Sequence, residues 1–150
     1  MKRFITVLLL LVFASLSAFA QDESLPEWTP VSDDPIAEHG DSGSWNSTYN
    51  EPGDVVYYEG EYHLFTTGFP GFPAKSGIGY LTSEDGITYE WVSEDPIITT
   101  DEVDYAGLAI DTSSVIVEED GTWVLYFTVF NSGNWPRIAG TIGRATADDL

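Results

Sequence analysis

Short runs of alternating apolar and polar residues dominate the chain from about residue 54 onward. In DVVYYEGEYHLFTTG (54–68), the alternation runs on both sides of Glu59-Gly60, which is typical of two antiparallel strands joined by a tight turn. No long segment beyond the N-terminus keeps the 3.6-residue period of an amphipathic helix. The pattern therefore predicts an all-β fold, with short strands separated by glycine, proline, aspartate and asparagine.

The pattern also repeats. SVIVEEDGTWVLYFTVF (114–130) matches residues 54–68, with Val115 on Val55 and Gly121 on Gly60, and IGRATADDL (142–150) matches IGYLTSEDG (78–86). The offset between the copies grows only from 60 to 64 residues, so one loop absorbs the difference. EWTPVSDDPI (27–36) is similar to EWVSEDPI (90–97), which predicts a third, partial copy before the first full one.

Each copy is interpreted as four strands. In the first they are predicted near 54–58, 61–67, 78–83 and 89–93; Asp120-Gly121 supplies the hairpin signal of the second copy. Tandem four-stranded antiparallel units favour a β-propeller over a sandwich, with about two blades present. We predict an N-terminal segment with a partial blade strand (21–53), a first blade (54–110) and a second blade (111–150). The second lacks its fourth strand, so the chain is expected to be the N-terminal part of a longer propeller.

The first 20 residues have the composition of a secretory signal. Lys2 and Arg3 precede an apolar core, and Ala18-Phe19-Ala20 supplies the small-x-small cleavage pattern. The apolar run is shorter than the ~20 residues that span a bilayer. Residues 1–20 are therefore predicted to be a signal peptide. The mature chain is expected to be secreted or periplasmic, without membrane association.

Charge and composition narrow the function classes. Cleavage after Ala20 would leave three basic against 25 acidic side chains, which changes the formal charge from −20 to −22. Such a surface repels nucleic-acid phosphates and anionic lipid, so a neutral partner is favoured. The absence of cysteine excludes thiol catalysis, and His39 and His63 have no clustered partners, so neither a metal nor an organic cofactor is expected.

Acidic side chains collect where the predicted first strands begin. Because neighbouring strands alternate in direction, Glu51, Asp54 and Asp111 are expected on one rim, with the loops that carry Phe72 and Trp135, and opposite the hairpin turns. Carboxylates beside flat apolar rings suit a sugar, whose hydroxyls form hydrogen bonds while its C–H face stacks. A simple turn at Pro52-Gly53-Asp54 and a turn-capping role for Asp111 remain alternatives.

The stretch NEPGDVVYY with YHLF (50–58 and 62–65) resembles the opening motif of glycoside hydrolase family 32, the invertase and levanase enzymes. The resemblance extends through two further segments, SEDGITYEW (83–91) and DTSSVIVEEDGTWVLYFT (111–128). The sequence resembles glycoside hydrolase families 43 and 130 almost as closely as it resembles family 32. The resemblance implies a five-bladed propeller. It places Glu51 on the nucleophilic aspartate, Asn50 on the adjacent asparagine, and Asp111 and Ser113 on the serines of an S-G-S segment. The family's general acid would lie beyond Leu150.

The expected function is hydrolysis of O-glycosidic bonds in a neutral oligo- or polysaccharide by paired carboxylates. The candidate catalytic residues are Glu51, Asp54 and Asp111; the candidate substrate-binding residues are Trp45, Asn50, Phe72, Ser113 and Trp135. Glutamate in place of the family's aspartate adds about 1.5 Å of reach. A non-catalytic carbohydrate-binding propeller is therefore the alternative, and a repeat that only mediates protein contacts is a third. The isolated fragment is expected to be inactive.

Overall fold

A computed structural model describes residues 26–71, 75–132 and 139–150. The predicted signal peptide lies outside these ranges. The chain divides into two units, Met1–Pro30 and Val31–Leu150. Residues 26–30 of the first unit are exposed and form no regular structure, and every strand described below belongs to the second.

The second unit contains two antiparallel sheets. The first sheet consists of β1 (Tyr49–Tyr58), β2 (Glu61–Phe69) and β3 (Gly77–Ser83), followed by the short strands β4 (Glu90–Trp91) and β5 (Ile98–Thr99), which both pair with β3. A 3-10 helix, Thr100–Glu102, leads toward the second sheet, β6 (Ala109–Val117), β7 (Trp123–Ser132) and β8 (Ala139–Ala147). These tandem antiparallel sheets confirm the all-β prediction and form part of a β-propeller-like fold.

The repeat found in the sequence is visible in the strand register. Val55 and Val115 are each the seventh residue of the first strand of their sheet, and they pair with Leu64 and Leu125 of the second strand. The two first strands, β1 and β6, lie next to each other. Neighbouring sheets built on the same register are what the propeller interpretation requires, whereas both valines in one continuous sheet would have contradicted it.

The first strand begins earlier than predicted. β1 starts at Tyr49 rather than at residue 54, so Glu51-Pro52-Gly53-Asp54 is strand and not a turn. Pro52 favours an extended conformation in the residue before it, and its missing N–H is tolerated because β1 is an edge strand. The register shifts between Pro52 and Asp54, which makes Gly53 a β-bulge. Between residues 26 and 48, where the partial third copy was predicted, the structure contains no strand.

The fourth strand of the first sheet is divided. A strand forms within the predicted range 89–93 and is shorter than predicted: β4 spans only Glu90–Trp91, and β5 resumes the pairing with β3 at Ile98. The intervening segment contains Pro96, which has no N–H to donate to a ladder. A local bond from the Asp95 N–H to the Ser93 hydroxyl, 3.0 Å long, forms within this segment, and the N–H groups of Val92 and Ile97 still donate to β3 carbonyls on either side of it.

Both predicted hairpins form, with different loops. Glu59 and Gly60 have φ values of 49° and 97°, as a two-residue type I′ turn requires. At the second hairpin Gly121 has φ of 89°, but β6 ends at Val117 and β7 begins at Trp123. The Gly121 N–H donates to the Glu118 carbonyl at 3.0 Å, so a longer loop replaces the predicted two-residue turn.

The hydrophobic core lies between the two sheets. Phe65 and Tyr80 of the first sheet contact the face of β7 that carries every second residue from Trp123 to Val129. His63 is buried in the same layer, where its Nδ1 lies 2.6 Å from the Tyr80 hydroxyl. In the described parts of the chain, no group of three or more histidine or acidic side chains could hold a metal ion, and no helix is long and apolar enough to cross a membrane.

The turn after β3 depends on one carboxylate. Asp85 Oδ1 accepts hydrogen bonds from the N–H groups of Ile87 (2.8 Å) and Thr88 (2.7 Å) and from the Ser83 hydroxyl (3.0 Å). These bonds, led by that from Thr88, lower the pKa of Asp85 to about 2. All three donors bond to Oδ1, and ionisation of the carboxyl group strengthens each of these bonds, so the stability of the turn depends on the charge.

We expect Asp85→Asn to lower the stability of the protein in a pH-dependent way. Because the folded-state pKa of about 2 lies below the unfolded value of about 3.9, the stabilisation is present above pH 4 and is lost as the pH falls toward 2. Denaturant unfolding at several pH values should show wild type and variant converging over that window. An equal difference at pH 2 and pH 6 would contradict the assignment.

Candidate active site

Two acidic side chains occupy equivalent positions in the two first strands. Glu51 is the third residue of β1 and lies opposite Thr67 of β2; Asp111 is the third residue of β6 and lies opposite Thr128 of β7. Two residues further on, each strand has a β-bulge, at Gly53 in β1 and at Ser113 in β6. The repeat therefore places one carboxylate at the same strand position in each of the two sheets.

The acids lie at the end of the sheets that is remote from the hairpin turns. β1 and β6 both run from the acids toward the hairpins, and the Tyr58 ring near the Gly60 turn packs against Trp123, 5.4 Å between centroids, near the Gly121 turn. Glu51 and Asp111 therefore share one end, and Gly60 and Gly121 share the other. This is the relative placement that the strand directions predicted.

The negative charge of Asp111 affects the pKa of Glu51. Partial burial raises the pKa of Glu51 above its usual range, and the nearby negative charge of Asp111 raises it further. A hydrogen bond with the side chain of Tyr49 acts in the opposite direction, because it favours the ionised form. Two neighbouring carboxyl groups, one of which holds its proton more firmly, form a pair that can divide acid and base roles.

Close contact between the first strands brings the acids together. A Cβ atom on Gly53 would overlap the methyl group of Thr112 and lie 3.0 Å from the Phe65 carbonyl oxygen. Glycine therefore serves here to let β6 approach the backbone of β1. The Thr112 N–H also donates to the Thr67 hydroxyl at 2.8 Å, which ties β6 to β2 directly opposite Glu51.

Asp54, the third acidic candidate, is directed between the sheets. Its Oδ2 accepts hydrogen bonds from the Val115 N–H at 2.7 Å and from the Ser114 hydroxyl at 3.3 Å, and its Oδ1 accepts one from Val55 N–H at 2.9 Å. Both carboxylate oxygens are thus engaged by the protein, so the two carboxyl groups that remain for chemistry at this end are Glu51 and Asp111.

The predicted binding residues Trp45 and Asn50 belong to a different face of the first sheet. Asn50 precedes Glu51 in β1, so its side chain points to the opposite side. Trp45 covers Gly68 and Gly79 on that side, stands edge-on to Trp91 at 5.8 Å, and donates its indole N–H to the Glu94 carbonyl at 3.0 Å. The structure therefore gives Trp45 a packing role and separates both residues from the acidic pair.

Phe72 and Trp135 lie outside the described residues, as does the side chain of Ser113, whose backbone forms the bulge in β6. Their predicted roles in substrate binding stay predictions.

Three residues near the acids were not among the predicted site residues. Tyr49 is half exposed and bonds to Glu51, and its ring centroid lies 5.9 Å from that of Phe69, so a pair of aromatic rings adjoins Glu51. Thr67 lies opposite Glu51 and is buried. Extending the first strand back to residue 49 would have revealed Tyr49, because side chains two apart in a strand share a face.

Comparison with solved structures supports the fold. A crystal structure at 2.30 Å resolution of a glycosyl hydrolase from Bacteroides ovatus is similar to the chain, with a TM-score of 0.51 and 21% sequence identity. The similarity covers 70% of this chain and 30% of that protein, so the chain spans less than a third of its length. No family model and no curated protein matches the chain. At this identity the likeness establishes a glycosyl-hydrolase-like fold and does not single out family 32.

Proposed function

We propose that the chain is part of a secreted glycoside hydrolase that cleaves O-glycosidic bonds of a neutral oligo- or polysaccharide. The observation that carries the proposal is the matched placement of Glu51 and Asp111 on neighbouring first strands, close enough for Asp111 to raise the pKa of Glu51. The fold of the glycosyl hydrolase from Bacteroides ovatus and the motif around residues 50–58 support the same reaction class.

Glycoside hydrolysis needs two carboxyl groups with different tasks. One donates a proton to the leaving oxygen, and the other either attacks the anomeric carbon or activates a water. The raised pKa of Glu51 suits a proton donor, whereas the resemblance to family 32 suits a nucleophile. In either role Asp111 supplies the neighbouring negative charge, which favours the cationic character that the sugar acquires in the transition state.

The surroundings of the pair suit a neutral sugar. The exposed ring of Tyr49 and the adjacent Phe69 offer flat apolar surface within reach of the acids. The chain as a whole has a formal charge of −20, which disfavours phosphorylated or uronic substrates. The signal-like residues 1–20 support export, where polymeric carbohydrate is accessible.

Incubating the complete protein with fructosides, arabinosides and xylosides tests the proposal. We expect release of reducing sugar from at least one class, and no release by Asp111→Asn, because hydrolysis needs both carboxyl groups. Absence of release from the whole panel, with the protein folded, would overturn hydrolysis of these substrates.

A carbohydrate-binding function without cleavage is the second candidate, and a cavity on the other face of the first sheet favours it. Its volume is about 560 Å³, within the range of small-molecule sites, and it is lined by aromatic and acidic side chains that include Trp45, Trp91, Asp41, Glu94 and Asp95. Calorimetric titration with the same sugars would detect binding that survives Glu51→Gln. Loss of that binding in Trp91→Ala would assign it to this cavity.

A further inference from the structure

Asp54 connects the two strands that carry the acidic pair. Residues 54 and 115 are far apart in sequence, yet the Val115 N–H donates to Asp54 Oδ2 at 2.7 Å, and the Ser114 hydroxyl donates to the same oxygen at 3.3 Å. Hydrogen bonds to an ionised acceptor are roughly twice as strong as neutral ones. The contact is therefore a strong link between neighbouring sheets rather than a local turn.

The link is placed at the two bulges. Asp54 follows the bulge residue Gly53 of β1, and Ser114 follows the bulge residue Ser113 of β6. Glu51 and Asp111 each precede their own bulge by two residues. Any slip of β6 along β1 would therefore change the separation of the two acids, and the Asp54 carboxylate opposes such a slip.

We propose that Asp54 is a positioning residue whose carboxylate holds β6 against β1 and thereby sets the spacing between Glu51 and Asp111. This inference rests on the proposed function for its catalytic consequence, although the geometric part can be tested separately. Asp54 itself needs no contact with the substrate, since both of its oxygens are occupied by protein donors.

An amide cannot replace the carboxylate in this position. Asparagine has one acceptor oxygen and one donor NH₂ group, whereas Asp54 accepts from backbone N–H groups with both oxygens. Asp54→Asn therefore turns a donor toward either Val55 N–H or Val115 N–H and leaves one of them without an acceptor. The variant keeps the size of the side chain and weakens the link, because the charge is lost and one of the two backbone N–H groups loses its acceptor.

The matched control is Asp85→Asn. Asp85 also accepts backbone hydrogen bonds through its carboxylate, but it follows β3 at the end of the sheet that is remote from Glu51. It reports what the same chemical change does to stability without altering the spacing of the acids. Neither the proposed chemistry nor the contact between β1 and β6 involves it.

The first readout is the pKa of Glu51 in the complete protein, measured by NMR from the chemical shift of its carboxyl carbon as the pH changes. The resonance of Glu51 is identified as the one that Glu51→Gln removes. The titratable groups that face Glu51 are Asp111 from β6 and Tyr49 from β1. We expect Asp54→Asn to move the pKa of Glu51 back toward its ordinary value, because β6 and the charge of Asp111 move away and water enters. We expect Asp85→Asn to leave it unchanged.

The second readout is whether the variant changes kcat or KM, measured separately on a substrate that the wild type cleaves. A displacement of about 1 Å costs roughly 10²-fold in rate. We expect Asp54→Asn to lower kcat by about that factor with little change in KM, and Asp85→Asn to preserve both at a temperature where each variant is folded.

An unchanged pKa of Glu51 in folded Asp54→Asn would overturn the positioning role, whatever the activity. If Asp54→Asn does not fold, Ser114→Ala is the variant that tests the inference. It removes only the 3.3 Å bond to Asp54, so it should shift the pKa of Glu51 in the same direction as expected for Asp54→Asn, but by less. No shift in Ser114→Ala would then overturn the inference. If the titration shifts as expected but no glycoside is cleaved, the positioning stands and the proposed function fails.

Discussion

Glu51→Gln in the complete protein is expected to lower hydrolysis of natural glycosides by roughly 10²–10⁴-fold, the usual contribution of a positioned acid or base. The amide can neither donate the carboxyl proton nor form a glycosyl ester, so both roles open to Glu51 are lost. Because Glu51 is partly buried beside Asp111, glutamine also removes a repulsion, and the variant should be no less stable than the wild type. Unchanged turnover would move the search for the catalytic acid elsewhere.

Activated aryl glycosides separate the two roles of Glu51. A dinitrophenolate leaving group departs without protonation, so a variant that lacks only the proton donor should retain much of its activity on such substrates. A variant that lacks the nucleophile should lose activity on every substrate. The raised pKa of Glu51 favours the first outcome, and the resemblance to family 32 favours the second. Asp54→Asn, which leaves Glu51 in place, is the comparison that shows an effect of spacing alone.

Gly53→Ala is expected to lower the stability of the protein. The added Cβ would overlap the Thr112 side chain, with 2.6 Å to its Cβ atom, and would press on the Phe65 carbonyl. Overpacking of this kind costs about 1–3 kcal/mol, and it acts at the bulge two residues beyond Glu51. Denaturant unfolding should show the loss in stability. Thr112→Ser in the same background should restore part of it, because serine lacks the overlapping methyl group.

Gly140→Ala is the control for the change of glycine to alanine. Gly140 also lies in a strand, but an added Cβ would have its nearest neighbour at 3.7 Å, an ordinary contact. Removing the flexibility of glycine at such a position is expected to be neutral or to stabilise by about 0.4–1 kcal/mol. Equal losses in the two variants would show that the approach of β6 to β1 is not what requires Gly53.

Local sequence signals predicted much of the fold. The alternation around Glu59-Gly60 identified the first hairpin, because the turn needs positive φ at two positions that these residues can supply. The repeat then placed Val55 and Val115 in register, and strand direction alone put Glu51 and Asp111 at one end of the sheets. These features depend on neighbours in the chain or on periodicity, both of which the sequence displays directly.

The bulges and the link between the sheets were not predictable in the same way. Pro52-Gly53-Asp54 has the composition of a turn, and only its pairing with β2 shows that the segment is a bulged edge strand. The shortest bond that Asp54 accepts from β6 comes from the backbone N–H of Val115, some 60 residues away, and a backbone group leaves no signature in a sequence. Trp45 was predicted to bind substrate, while its packing on glycines of β2 and β3 depends on tertiary structure.

The most direct measurement of the paired-carboxylate mechanism is kcat/KM for sugar release by the complete wild-type protein, Glu51→Gln, Asp111→Asn and the double variant. Groups that act as one unit give losses that do not add. We expect each single variant to lose most of the activity and the double variant to be no worse than the weaker single one. Losses that add fully, or turnover near the wild-type level in the double variant, would contradict a catalytic pair formed by Glu51 and Asp111.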